Sequence, residues 1–199
     1  IIIVGDFDPA MMEAKVKERF NQIPARENRQ PRPDFGIPDN EEMIVGVVTD
    51  PEATRTMVEV YYKQPAVAFD QKNMGYYRDQ IVNSLYTQMI NARLNELVQK
   101  ENPPFVFGYS VYTGLVRTVD SYLLMANARE NESERALRTL LEENYRLKQH
   151  GFTQTELDRA KADLLRSYEK NYNERDKQKH EDFVWQYFSH FTSNEPIPG

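Results

Sequence analysis

The chain has 199 residues, 40% of them hydrophobic and 28% charged, and a formal net charge of −6 at pH 7. That composition fits one globular domain, or one domain plus a piece of another, and its acidic balance argues against nucleic acid as a partner, because phosphate binding needs a basic surface. It has no cysteine, which excludes disulfides, thiolate catalysis and cysteine-ligated zinc, and no apolar run is long enough to span a membrane.

The chain opens on IIIVGDFDP, in which the four β-favouring residues Ile1 to Val4 run into a helix start. Asp8 is placed to cap that helix and Pro9 to take its first position, where a missing N–H costs nothing. An opening strand this apolar needs neighbours on a sheet, so the chain reads as cut from something larger. Without that sheet, residues 1–20 are expected to pack on the rest of the chain or to pair with a second copy. From Asp8 to Phe20, Met12, Val16 and Phe20 mark one helical face. The stretch 21–41 has four prolines, several charges and no periodicity, and reads as a linker.

Two strands are expected next: Glu42 to Thr49, a near-continuous apolar run, and Arg55 to Lys63, in alternation, joined by the turn DPEA. From Asn73 to Gln99, Met74, Tyr77, Ile81, Leu85, Met89 and Ala92 recur at helical spacing, predicting a long helix stopped by Asn102–Pro104. FVFGYSVYTG and VRTVDSYLLMANA read as two further strands meeting near Gly114. Asn131 with Glu134, and Thr153 with Glu156, are capping patterns that open two helices, the first ending at Gly151. Leu157, Ala160, Leu164 and Tyr168 follow the second of these signals. The charge-dense EKNYNERDKQKHED reads as a solvated face, and the aromatic FVWQYFSHF as packing an end of the domain. After the linker the order is ββαββαα, which is α+β, with helices on one face of a largely antiparallel sheet.

Catalytic motifs are sought in the three histidines first. His180–Glu181 begins an H-E-x-x-H pattern, but position 184 is valine. The inverted H-x-x-E-H fails at each histidine: the test positions hold Thr153 and Gln154 after His150, Phe183 and Val184 after His180, and Ser193 and Asn194 after His190. There is no G-x-S-x-G and no phosphate loop, and the pair Glu142–Glu143 reads as part of a polar helix face. By its own residues the chain shows neither catalytic nor metal-ligating machinery.

In combination, IIIVGDFDPAMMEAKVKERFNQIPAR, VTDPEATRTMVEVYYK, MINARLNELVQKENPPFVFGYS, GFTQTELDRAKADLLRSYE and YFSHFTSNEPIPG resemble the pitrilysin/insulinase family of zinc metallopeptidases, the inverzincins, over nearly the whole chain. The resemblance implies the α+β metallopeptidase fold of LuxS and mitochondrial processing peptidase. It implies that residues 1–20 end a preceding zinc domain, that 21–41 is a linker, and that 42–199 is the non-catalytic domain that follows, truncated at its C-terminal end. Such a domain forms a chamber wall and contacts peptide substrate. Zinc belongs to the parent protein, and the fragment alone is expected to be inactive. The alternative from the same family is a zinc-less structural or partner-binding subunit, in a homo- or hetero-dimer. The family's substrate-binding pair is an arginine and a tyrosine seven residues apart. Tyr109, in FGYS, falls on the tyrosine position, though it reads equally as a strand tyrosine packed on the sheet. Asn102 stands seven residues before it and, allowing for the NPP insertion, Gln99 or Lys100 occupies the arginine's place. Arg93, in NARL, is the other candidate substrate-binding residue, and it matches a family position with a structural reading. The QKENPPF wording is similar to a bacterial envelope branch, which implies a periplasmic location.

Overall fold

The computed structural model describes residues 1–24, 28, 30, 33, 35–193 and 195–197. The expected linker over 21–41 falls partly outside them. In chain order the elements are α1 (Pro9–Phe20), β1 (Thr56–Pro65), α2 (Met74–Val98), β2 (Phe107–Val116), β3 (Val119–Ala128), α3 (Ser133–His150), α4 (Gln154–Asn173) and α5 (His180–Ser193), with short 3₁₀ turns at Phe69–Gln71 and Arg175–Lys177. They form two compact units, one of Phe35–Asn173 and one of Ile1–Asp34 with Glu174–Gly199.

In the smaller unit α1 starts as its sequence requires: Asp8 Oδ1 accepts the Met11 N–H at 2.7 Å and Pro9 is the first helical residue. Ile1–Val4, expected as a strand, has no strand partner, and lies instead along α5, where it helps line a groove with His180, Phe183, Val184 and Tyr187. The aromatic run on α5 does not pack into a domain end. No residue of α5 or α1 is buried, and Phe183, Trp185, Tyr187, Phe188 and Phe191 all stay exposed.

The larger unit is a three-stranded antiparallel sheet in the order β1-β3-β2. Alternation along each strand sends Val58, Val60, Leu124, Ala126, Gly108 and Ser110 to one face. There Ile90 and Leu94 of α2 and Ala136, Leu140 and Leu147 of α3 close the core with Phe105. The helices cover that face, and α4 packs on α2. The expected first strand is absent: Met43 to Val48 make no ladder, and Val48 is 95% exposed. The turn after it does form, with Asp50 Oδ1 accepting the Glu52 N–H at 2.8 Å, but the strand bonded to β1 is β3, so the order is βαββαα.

Three further expectations are corrected. Of the expected α2 stripe Met89 is buried and Leu85 half-buried, but the core contacts are made by Tyr86, Ile90, Leu94 and Leu97, because Met74, Tyr77 and Ile81 lie on turns that project past the core. The β2–β3 turn is at Arg117–Thr118, and Gly114 instead borders a register irregularity with Val116. Asn131 does not cap α3: it sits in the left-handed region at φ 59°, and Glu132 is the cap residue. On α4 Ala160 is buried, Leu157 and Leu164 are half-buried and Tyr168 is exposed. The start of α4 matches its sequence signal, and Asn73, where the helical periodicity of α2 begins, is a cap that the sequence reading did not name. Asn73 Oδ1 accepts the N–H groups of Gly75 and Tyr76, and Thr153 and Glu156 exchange hydrogen bonds as a capping box.

Gly108 is where this packing is tightest. A Cβ there falls 2.7 Å from Cε2 and 2.8 Å from Cζ of Phe105, a ring with no exposed surface that has nowhere to move. Gly108→Ala is therefore expected to destabilise the larger unit by about 1–3 kcal/mol, the usual cost of overpacking a close-packed core, read as a lowered urea midpoint.

Candidate functional site

Among the described residues the helices pack on one face of the sheet; on the second, Tyr61 and Tyr109 are exposed, Met125 is half-buried, and Leu123 and Ser121 of the central strand are buried. Cross-strand partners there fall in rows: Met57–Asn127–Phe107, Glu59–Met125–Tyr109, Tyr61–Leu123–Val111 and Lys63–Ser121–Thr113. The 35–39 segment is tied down at the last row's end, where Lys63 Nζ donates to the Pro38 carbonyl at 2.6 Å and Thr118 donates to the Phe35 carbonyl. Tyr109 thus stands on the bare face, 44% exposed, at the edge strand β2. The Tyr61 hydroxyl donates to Glu59 Oε2 at 2.8 Å, and that carboxylate pushes the Tyr61 phenol above its ordinary pKa.

On the covered side, Asn91 of α2 holds β2 in place. Its amide donates to the Ser110 carbonyl at 2.9 Å and accepts the Ser110 N–H at 2.8 Å, so the strand's outer edge is satisfied by a side chain next to Tyr109. Two residues on, Arg93 faces a different environment. Its Nε and Nη2 donate to the two oxygens of Glu156 at 2.6 and 2.9 Å, Nη1 donates to Glu143, and Nη2 also reaches the Gly151 carbonyl. The Phe152 ring lies 5.1 Å below the guanidinium. Glu143 is buried and shared with Arg146, so it belongs to no polar helix face.

Arg93 and Tyr109 are therefore directed to different sides of the sheet: Tyr109 outward from its bare face, Arg93 into the helix layer. Asn102 is engaged elsewhere, since Arg135 donates to both its side-chain and main-chain oxygens, and Gln99 is the C-terminal cap of α2. The pairing of Asn91 with β2 and of Glu156 with Arg93 gave no signal in the sequence beyond residue type. The strand parity that puts Glu59 in the row of Tyr109 needed the register.

The described residues do not form a zinc site. Among the described residues no three metal-ligating side chains cluster, and His190 Nδ1 is 2.7 Å from the Glu195 carbonyl, bonded within its own segment. No step through a metal follows from these residues.

Residues 1–164 match the family described as the peptidase M16 inactive domain. The chain is 26% identical over 200 residues to an Arabidopsis thaliana protein named zinc protease PQQL-like, covering all of this chain and 18% of that one. It is 26% identical over 170 residues to the Escherichia coli protein named probable zinc protease PqqL, covering 82% of this chain and 17% of that one. The crystal structure of the periplasmic protease PqqL from Escherichia coli superposes on 98% of the chain with a TM-score of 0.76 at 22% identity, over 21% of that structure. The chain thus spans under a fifth of each of these two curated relatives.

The ion pair carries a pH signature. Hydrogen bonds from Arg93, aided by the Thr153 N–H and hydroxyl and opposed by burial, hold the Glu156 carboxyl at about 2, well below its ordinary 4.5. Its stabilisation is complete above pH 4.5 and is lost as the pH falls from there through about 2. Arg93→Ala is expected to cost about 2–3 kcal/mol, because it strips partners from a buried and a half-buried carboxylate. Urea midpoints measured across that acid range should also fall less steeply in the variant than in the natural chain.

Proposed function

The chain belongs to the peptidase M16 inactive-domain family, and from that premise we propose that in its longer parent it forms one wall of a peptide-binding chamber. What carries this reading is the one-sided sheet: helices occupy one face and leave Tyr109 and Tyr61 exposed on the other, with Met125 half-buried between the edge strands. In this reading a segment of polypeptide substrate lies across the bare face and the Tyr109 hydroxyl donates to a substrate carbonyl. Arg93 serves that contact indirectly, as the residue that fixes α2 and, two residues away, Asn91 against β2. The reaction itself, with its zinc, its water and its general base, is carried by another domain of the parent. Residues 1–20 end that domain, 21–41 link it onward, and 42–199 are the non-catalytic domain. The parent's proposed location is the periplasm or cell envelope, after the Escherichia coli relative named above.

The test uses the zinc-loaded parent and a peptide library. Tyr109→Phe is expected to lower kcat/KM by the equivalent of about 2–4 kcal/mol, as loss of one transition-state donor does, with the urea midpoint unchanged. Unaltered turnover in that variant contradicts the contact. A parent that binds no zinc points instead to the zinc-less, partner-binding subunit.

A further inference from the structure

The bare face of the sheet carries two charged residues, Glu59 and Lys63, both on β1. Lys63 is turned away, with its ammonium on the Pro38 carbonyl at 2.6 Å and Asp39 at 4.0 Å. Glu59 is different. Tyr61 fixes one of its oxygens, and among the described residues no cation lies within ion-pair distance of it. It shares a cross-strand row with Met125 and Tyr109, two strand spacings or roughly 10 Å from the latter. The path between them is apolar, over half-buried Met125, with half-buried Val111 and the exposed Tyr61 ring alongside and Leu123 buried beneath them. An apolar track ending in an oriented carboxylate fits the aliphatic stem and cationic head of one side-chain class.

We propose that Glu59, oriented by Tyr61, is a specificity-determining residue that selects a lysine or arginine side chain of an extended polypeptide lying over the bare sheet face. This rests on the substrate-wall reading above. An extended chain advances about 3.3 Å per residue, so the basic residue sits within about three positions of the one that Tyr109 touches. Selection of cationic segments also agrees with the chain's net charge of −6.

The experiment is fluorescence anisotropy on the 199-residue chain with two labelled nonapeptides of threonine, valine and alanine, identical except for a central lysine or glutamine. The lysine peptide is expected to bind roughly three- to fivefold tighter, the yield of an exposed ion pair, with the gap closing at high salt. Glu59→Gln, at an exposed position, should bring the ratio to one. Tyr61→Phe, which keeps the ring and removes the hydroxyl that orients Glu59, should bring the ratio part of the way to one at an unchanged urea midpoint, which loss of fold would not do. Equal affinities in the natural chain, or a preference that survives Glu59→Gln, overturn the assignment and leave the substrate-wall reading standing. Binding of neither peptide overturns both.

Discussion

One guanidinium holds the helical layer of this domain together. Arg93 projects from α2 onto Glu156 of α4, Glu143 of α3 and the carbonyl of Gly151 between those two helices. Glu156 also closes the capping box with Thr153, so the residue that starts α4 is the one that anchors it to α2. The start of one helix and its position against another are thereby set by a single carboxylate. Asn91, half a turn earlier on α2, passes that position on to β2 through two hydrogen bonds to Ser110. Helix layer and sheet edge are fixed by residues two apart.

The consequence is asymmetry. The largest fully buried hydrophobic side chains lie between the sheet and its helices: Phe105 on the way into β2, Ile90 and Leu94 on α2, Leu124 on β3 and Leu140 on α3. The opposite face is built of the same strands but meets no helix, and its rows mix apolar residues with Tyr109 and Glu59. A sheet covered on one side is a surface offered to something extended.

What the sequence disclosed follows the range of each interaction. Asp8 before α1 and Thr153–Glu156 before α4 act within a turn, and both are read from adjacent residues. Asn131–Glu134 has the same spacing as a capping box but not its geometry, because Asn131 takes a left-handed turn that residue type alone does not announce. The bond between Arg93 and Glu156 spans 63 positions, and no local pattern encodes it. The face of Tyr109 was hidden for another reason. Both parities of FGYSVY carry large side chains, so only pairing with β3 shows that Ser110 and Gly108 go inward and Tyr109 outward. Glu42 to Thr49 has strand composition yet stays unpaired, since a strand is defined by its neighbour and not by its own residues.

The most direct measurement is a backbone-amide NMR titration of the 199-residue chain with an extended polypeptide. The account predicts shift changes concentrated on the bare-face positions, at Met57, Tyr61, Tyr109, Val111 and Met125, with the residues around Arg93 and Glu156 unmoved. Changes confined to the outer surfaces of α3 and α4, with the sheet silent, would contradict it.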